Sequence, residues 1–404
     1  MFFSAYLWRL LRRRSSRIDS PTTKINCRTC LNLTLATMSH KNNNHTTLPQ
    51  FSDLAILSTS TLQNMITHPV ETTSAVTIAT TTTSEITTII TTTNVLSHLR
   101  GISTNISSNA EWKQDGVTVA GGNGNGTELH QLSEPHGLYV DEDATVYVAD
   151  CANHRIMKWT SDATSGQVVA GGHGEGSQSD QLNNPTDVIV DTDSLIICDY
   201  DNRRVVRWPR RGGTNAEILI SNIDCSRMTM DDQRFLYISH HKKHVVRQWQ
   251  VKENRWTDVA GDNKQGIHLD QLNWPTYIFV DRDHSVYVSD TNNDRVMKWI
   301  EGAKVGIVVA GGRGKGNDLT RLNGPRGVVV DQLGTVYVVD EENHRIMRWL
   351  KGATNGSVLV GGNGEGKQAN QLHYPNGLSF DRHGNLYVAD CFNHRVQKFE
   401  LLSS

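Results

Sequence analysis

The chain has 404 residues and a formal net charge of −2, but its charges are unevenly distributed. Residues 1–110 carry nine basic and four acidic side chains, whereas residues 111–404 carry 31 basic and 38 acidic ones. An acidic body attracts polyphosphate backbones poorly, so a nucleic-acid function would need a local basic patch. No apolar run reaches the roughly 18 residues of a membrane-spanning helix, so no span is predicted.

The first 110 residues predict a largely disordered N-terminal region in two parts. Residues 1–70 form a region of low order, in which an arginine cluster follows a short apolar stretch, the reverse of a secretory signal. Residues 71–110 are rich in threonine and poor in charge, a composition that does not offset the entropy of ordering. This tract predicts either an O-glycosylated extracellular stalk or an unmodified linker.

A possible zinc site lies in the first of these parts. Cys27 and Cys30, followed by His40 and His45, have the outline of a site with two cysteine and two histidine ligands. The spacer between Cys30 and His40 is shorter than usual, and the apolar residues of a small finger are missing. We therefore interpret the two cysteines as ordinary ones.

Residues 111–404 consist of an internal repeat. Prolines at Pro135, Pro185, Pro275, Pro325 and Pro375 mark it, and alignment places Cys225 where one further proline is expected. Each unit contains four short runs rich in β-branched and aromatic residues, separated by Gly, Asp and Asn, which is typical of a four-stranded antiparallel meander. Six such units of about 50 residues predict a β-propeller.

The strand inventory also predicts how the ring closes. The sixth unit has only three strands before the chain ends, and residues 116–120 supply one strand of the missing kind before the first unit. We therefore predict an all-β, six-bladed propeller of four-stranded antiparallel blades, closed by an N-terminal strand. Closure removes exposed sheet edges.

The repeat resembles the NHL-repeat family, from residue 116 to the end of the chain. The resemblance rests on Asn153-His154-Arg155, Asn343-His344-Arg345 and Asn393-His394-Arg395, each of which follows an Asp. It also rests on a Gly-rich connection that ends in Gln-Leu-x-x-Pro. The resemblance implies a structural role for the Asp and Asn-His-Arg elements. For function it implies either a protein- or RNA-binding module, as in tripartite-motif relatives, or a metal-dependent peptide-amidating lyase. A RING, a B-box and a coiled coil are not recognised, so any ubiquitin-ligase role would be that of an adaptor.

The predicted channel residues argue against the enzyme. An amidating lyase or lactonase would line its channel with metal ligands at the start of the innermost strands. The residues at these positions are His136, Thr186, Asp187, Ser226, Arg227, Thr276, Arg326 and Asn376. They do not form a His/Glu metal shell, so we expect no catalysis and no cofactor. A single cation held by His136 and Asp187 is the alternative.

The second and third units carry a cluster of cations that is a candidate site for an anionic partner. Its residues are Arg203, Arg204, Arg207, Trp208, Arg210, Arg211, Lys242, Lys243 and Arg247. The motif of the third unit is also the most altered, and departures from a repeat often mark function. An acidic protein, a sulfated glycan or RNA would suit arginines beside an aromatic ring. The alternative is that these arginines face solvent and pair with surplus acids.

Cysteines and sequons bear on the compartment. Cys198 and Cys225 lie in adjacent units, as do Cys151 and Cys391 after closure, so two disulfides are candidates, the first being the better one. Five N-glycosylation sequons are present, at Asn32, Asn44, Asn105, Asn125 and Asn355. We expect a monomeric, non-catalytic scaffold that binds a protein, extracellular on a Thr-rich stalk. The alternative is a cytoplasmic RNA-binding or adaptor propeller.

Overall fold

The computed structural model describes residues 106–402, apart from 211–214, 251–252, 254 and 263. Within these residues, the strands form six four-stranded antiparallel sheets and one two-stranded sheet. The predicted region of low order and most of the predicted linker lie outside the described residues. No helix in the described part of the chain has the length and apolar character needed to cross a membrane.

Each four-stranded sheet is one blade, and its strands follow one another along the chain. Blade one consists of β3 (Pro135–Val140), β4 (Val146–Asp150), β5 (Arg155–Trp159) and β6 (Gln167–Gly171). Blade two consists of β7 (Pro185–Asp191), β8 (Ser194–Asp199), β9 (Arg204–Pro209) and β10 (Glu217–Ser221). Blade three consists of β11 (Cys225–Met230), β12 (Leu236–His240), β13 (Val245–Gln250) and β14 (Arg255–Ala260).

The remaining blades repeat this order until the last strand. Blade four consists of β15 (Pro275–Val280), β16 (Val286–Asp290), β17 (Arg295–Trp299) and β18 (Ile307–Gly311). Blade five consists of β19 (Pro325–Val330), β20 (Val336–Asp340), β21 (Arg345–Trp349) and β22 (Ser357–Gly361). Blade six consists of β23 (Pro375–Phe380), β24 (Leu386–Asp390), β25 (Arg395–Phe399) and the N-terminal strand β2 (Val117–Gly121).

The first strands of the blades contact one another in ring order, and β23 of blade six contacts β3 of blade one. The ring is therefore closed, and the predicted fold is confirmed. β2 pairs antiparallel with β25, so the N-terminal strand completes the last blade as predicted. A further short strand, β1 (Glu111–Trp112), pairs with β26 (Leu401–Leu402) outside the blades.

The inner strands are buried on both faces, which explains their consecutive apolar residues. Val328, Val329 and Val330 in β19 are all buried, although side chains of a strand alternate between its two faces. One face packs on the preceding blade and the other on the following blade, so neither face needs polar residues. The core is thus distributed between blades around the ring.

A buried cluster of Asp, Asn and Arg fixes the Gly-rich connection that enters each regular blade. In blade one, Asp150 Oδ2 accepts from Arg155 Nε at 2.7 Å and from Asn153 Nδ2 at 2.9 Å, and Oδ1 accepts from the Ser133 N–H. The guanidinium of Arg155 also donates to three carbonyls of the connection. The same carboxylate–arginine pair occurs in blades two, four, five and six, at Asp199, Asp290, Asp340 and Asp390. The expected structural role of the motif is confirmed.

The histidine of the motif links its blade to the next one. A short 3-10 turn, Cys151–Asn153 in blade one, ends at His154, which has a left-handed backbone with a φ of 55°. His154 Nδ1 accepts from the Asn184 N–H at 3.1 Å, just before the first strand of blade two. His244, His344 and His394 accept from the following blade in the same way.

Candidate binding surface

The propeller axis is filled by side chains of three blades. The Arg227 guanidinium lies 4.2 Å from the centre of the Tyr277 ring and donates to Asn376 Oδ1 at 2.5 Å. The Tyr277 hydroxyl donates to the same Asn376 oxygen at 2.9 Å. Each of the three residues is about 4 % exposed. The first strands therefore close the channel at this level.

The two residues of the possible channel cation lie at the same level. Asp187 is fully buried, and its Oδ2 accepts from the Met228 N–H at 2.9 Å. Burial, together with the charges of Arg227 and Arg326, lowers the pKa of His136 well below its usual value. In the described residues, no three His, Cys, Asp or Glu side chains group as metal ligands do. A cation at His136 and Asp187 stays a prediction.

The other predicted channel residues are paired within the protein. Arg326 forms an ion pair with the buried Glu341 at 2.9 Å. The Thr186 hydroxyl donates to the Ser226 carbonyl at 2.9 Å, and Thr276 bonds the Thr291 hydroxyl at 2.7 Å. The Thr186 bond joins blade two to blade three, whereas the other two contacts lie within blades five and four.

The structure separates most of the nine residues of the predicted basic cluster. Arg204 is the buried partner of Asp199, and Trp208 is 2 % exposed within the core between blades one and two. Arg210 reaches blade one, where it donates to Asp141 at 3.1 Å. Two further arginines pair with acids of the neighbouring strand, Arg207 with Glu217 and Arg247 with Asp258. Arg211 lies outside the described residues.

Three cations of the cluster, Arg203, Lys242 and Lys243, remain together. With Asp224 they form a surface that we call the blade two–three rim. Asp224 accepts from Arg203 Nε at 2.8 Å and from Lys242 Nζ at 2.9 Å. Although burial alone would raise it, these two bonds lower the pKa of Asp224. The Arg203 and Lys242 side chains are 52 % and 57 % exposed, and Lys243 beside them is exposed. The rim therefore offers two accessible cations bound to one carboxylate and a third, Lys243, next to Lys242 in the chain. Binding of an anionic partner by the nine residues stays a prediction.

An aromatic stack lies next to this rim. The His241 ring stacks on Tyr200 at 5.4 Å and packs against Trp274 at 4.6 Å, measured between ring centres. Burial lowers the pKa of His241 to about 4, and that of the adjacent His240 also to about 4. Both imidazoles are therefore neutral at pH 7, and the stack joins blades two, three and four.

The disulfide prediction is correct for one pair and wrong for the other. Cys198 in β8 and Cys225 at the start of β11 form a disulfide with a Cα–Cα distance of 5.9 Å. Cys151 and Cys391 are buried free thiols. The two cysteines occupy equivalent positions in neighbouring blades, so both side chains point the same way around the ring and do not face each other. The Cys151 sulfur faces Asn184 of blade two, away from blade six. Cys198 and Cys225 occupy different positions of the repeat and can face each other.

Two of the predicted sequons fall in the described residues. Asn125 and Asn355 are both exposed, in the Gly-rich connection before blade one and in the loop before β22. Asn32, Asn44 and Asn105 lie outside the described residues, as do Cys27, Cys30, His40 and His45. Glycosylation at these positions stays a prediction.

Sequence reasoning missed three groups: the filled axis, the aromatic stack, and Trp112, which is buried against Tyr337 and Phe380. The sequence contains a signal for the aromatic stack. The residue before the repeat proline is an aromatic one, Trp274, in blade four, where blade one has Glu134. The position of Trp112 depends on a segment that precedes the first repeat, for which the repeat alignment has no counterpart.

These features define the class of protein as a closed six-bladed β-propeller. The family model described as NHL repeat matches residues 132–159, 322–348 and 372–399, which lie in blades one, five and six. The protein is an NHL-repeat β-propeller. Among curated proteins, no relative matches the sequence.

Solved structures share this fold at low sequence identity. A protein of unknown function from Bacteroides thetaiotaomicron is 17% identical, with a TM-score of 0.59 over 72% of this chain and 77% of that chain. An auxiliary nutrient binding protein from the same organism is 16% identical, with a TM-score of 0.56 over 72% and 78%. A gluconolactonase from Xanthomonas campestris is 11% identical, with a TM-score of 0.50 over 74% and 99%. These similarities concern the fold alone.

Proposed function

We propose that this protein is a non-catalytic, extracellular scaffold that binds a partner protein through the outer surface of the ring. The filled axis carries the proposal. Arg227, Tyr277 and Asn376 occupy the level at which a propeller enzyme would hold its metal and substrate. The positive charge of Arg227 opposes the binding of a divalent cation there. Recognition is then left to the exposed surfaces.

Metal analysis tests the non-catalytic part of the proposal. The natively purified protein is analysed by mass spectrometry for bound metals beside His136→Ala, with His130→Ala, an exposed histidine, as the matched control. We expect no stoichiometric ion in any of the three proteins. A stoichiometric ion that is lost with His136→Ala and retained with His130→Ala would contradict the proposal and favour the lyase-like alternative.

The disulfide supports the extracellular part of the proposal. Disulfides persist in oxidising compartments and are rare in the cytosol. Cys198 and Cys225 are joined while the chain's other two described cysteines are not, so the bond reflects a specific pairing. Asn125 and Asn355 are exposed and so are accessible to a glycosyltransferase.

Peptide mapping without reductant tests this compartment directly. We expect Cys198 and Cys225 in one linked peptide, and glycan mass on the peptides that contain Asn125 or Asn355. Free thiols at all cysteines and no glycan would contradict the extracellular assignment. The cytoplasmic RNA-binding or adaptor propeller would then be the better hypothesis.

We further propose that the partner is acidic and contacts the blade two–three rim. Charges at the rim of an interface act mainly on association rate and salt dependence. Reversing Arg203, Lys242 and Lys243 to Glu is therefore expected to abolish salt-sensitive retention on a polyglutamate column. Reversing Arg207 and Arg247, which face acids of their own sheets, is the matched control. Retention on heparin or RNA but not on polyglutamate would contradict a protein partner, and equal retention of both variants would contradict the site.

A further inference from the structure

The groove between blades five and six is filled by the chain's own residues 106–112. The Trp112 ring lies 6.2 Å from Tyr337 of blade five and 6.1 Å from Phe380 of blade six, between ring centres. Its Nε1 donates to the Gly384 carbonyl at 2.9 Å, and the Ala110 carbonyl accepts from Arg348. An aromatic anchor on an extended segment therefore closes this groove.

The groove between blades four and five has the same construction but is open. The repeat of 50 residues places Tyr287 where Tyr337 stands, Val330 in the position of Phe380, and Gly334 in that of Gly384. These residues line a groove of about 1020 Å³. Within the described part of the chain, no segment covers it.

Three other grooves are bridged by side chains. Arg210 donates to Asp141 between blades one and two. Arg234 donates to Asp191 between blades two and three. Between blades three and four, His284 lies 3.4 Å from Asp231.

Gly334 offers no side chain that could bridge the groove between blades four and five. It occupies the turn position of Arg234 and His284, and all three have a positive φ. Gly384 has the same place beside residues 106–112, where an added Cβ would lie 3.6 Å from Ile106. A glycine at this position thus accompanies the groove that holds a segment, and a long side chain at this position bridges two other grooves, between blades two and three and between blades three and four.

The open groove also exposes apolar side chains. Ile300, Ile307 and Leu333 are each about half exposed along its walls, and Leu350 is 40% exposed. Exposed apolar side chains grouped along one groove are suited to contact an apolar group of a partner. The lining of the groove includes the loops between the first and second strands of blades four and five and extends along β18.

We propose that the groove between blades four and five binds an extended peptide of a partner protein through one tryptophan. The indole would lie between Tyr287 and Val330 and donate to the Gly334 carbonyl, as Trp112 does at Gly384. β1 also pairs with β26, but the equivalent residues 351–352 turn toward β22 and offer no strand. The peptide is therefore held by its anchor and not by strand pairing. This proposal does not depend on the rim.

A synthetic peptide of residues 106–114 is the probe, because it carries the anchor that the protein itself uses. Binding of the fluorescein-labelled peptide to the full chain is measured by anisotropy. We expect one site in the wild type. Leu333→Asp places a charge in the groove, and Gly334→Arg introduces the side chain that bridges blades two and three. Each is expected to weaken binding at least tenfold, as is a peptide with Ala in place of Trp.

Matched controls keep the outcome decisive. Leu269 is 49% exposed, as Leu333 is, but lies outside the groove, so Leu269→Asp should leave binding within twofold of the wild type. Trp112→Ala empties the place of the indole between blades five and six and should add a second, weaker site, because residues 106–111 remain beside it; this site shows that the peptide is competent. Binding to Trp112→Ala but not to the wild type would overturn the proposal. So would a wild-type dimer that Leu333→Asp dissociates, because the groove would then be an interface between copies.

Discussion

Blade three differs from the other five blades in the connection that leads into it. The regular blades are entered through a Gly-rich connection of about a dozen residues, whereas residues 222–224 alone join β10 to β11. Blade three also lacks the buried carboxylate and arginine: His240 stands where blade six has Asp390, and Val245 where it has Arg395. The two differences have one cause, because this carboxylate and arginine serve to hold the carbonyls of the long connection.

Whether a blade keeps the histidine of the motif depends on the length of the connection that leaves the blade. The connection from blade three to blade four is long, and blade three retains His244, whose Nδ1 accepts from the Trp274 N–H. Blade two precedes the short connection, and Arg203 replaces the histidine there and bonds Asp224 instead. The altered motif of blade three thus has a structural cause, which removes the argument that its divergence marks a function.

The largest expected effect comes from the buried carboxylate of a regular blade. Asp390→Asn leaves the buried Arg395 guanidinium without its counter-charge, and such a loss costs about 3–5 kcal/mol. Asp224→Asn in blade three makes the same chemical change beside two largely exposed cations, where an ion pair contributes about 0–1 kcal/mol. Urea unfolding of the two variants measures both values. Equal losses would contradict the distinction between blade three and the regular blades.

The disulfide is expected to have the next largest effect, because it stands at the short connection. Cys225 replaces the proline that begins the first strand in the other blades, and its bond to Cys198 closes a loop with a sequence separation of 27 residues. Replacing both cysteines by Ala should lower the free energy of unfolding by about 2–4 kcal/mol. The control is Cys151→Ala with Cys391→Ala, whose thiols are free. Reductant should destabilise this control as much as the wild type, because it keeps the disulfide. If reductant destabilises the Cys198→Ala, Cys225→Ala variant by as much, the effect does not come from the disulfide.

Acid is expected to act on blade three through its two buried imidazoles. Burial lowers the pKa of His240 and His241 to about 4, against about 6.5 in an unfolded chain. The unfolded state therefore binds more protons between these values, and stability is retained above pH 6.5 and lost as the pH falls toward 4. For each imidazole, the expected loss between pH 7 and pH 4.5 is about 2 kcal/mol greater in the wild type than in the variant with Gln in place of that histidine. Carboxylates elsewhere titrate in both proteins and cancel in the difference.

The sequence predicts the ring far better than its surface. The repeat fixes the strands, the closure and the buried motif, because the strand pattern recurs six times and the buried motif five times. It does not predict that Trp208 is buried or that Arg210 leaves its own blade for Asp141. These positions depend on the packing of one blade on the next. Trp112 is a stronger case, since its partners come from two blades more than 200 residues away.

The smallest effect tests the half of the motif that blade three retains. His244→Ala removes the acceptor of the Trp274 N–H and places alanine at a φ of 54°, so we expect a loss of about 1–2 kcal/mol, as for His154→Ala in blade one. His244→Asn should recover most of it, because asparagine tolerates a positive φ and can accept the same bond. Blade four already uses this solution, since Asp294 Oδ1 accepts from the Gly324 N–H at 3.0 Å. Urea unfolding would contradict the shared role if His244→Ala were neutral while His154→Ala was not. The histidine of blade three would then have no structural role. Blade three would have lost the function of the whole motif, and not only that of the carboxylate and arginine, which face the short connection.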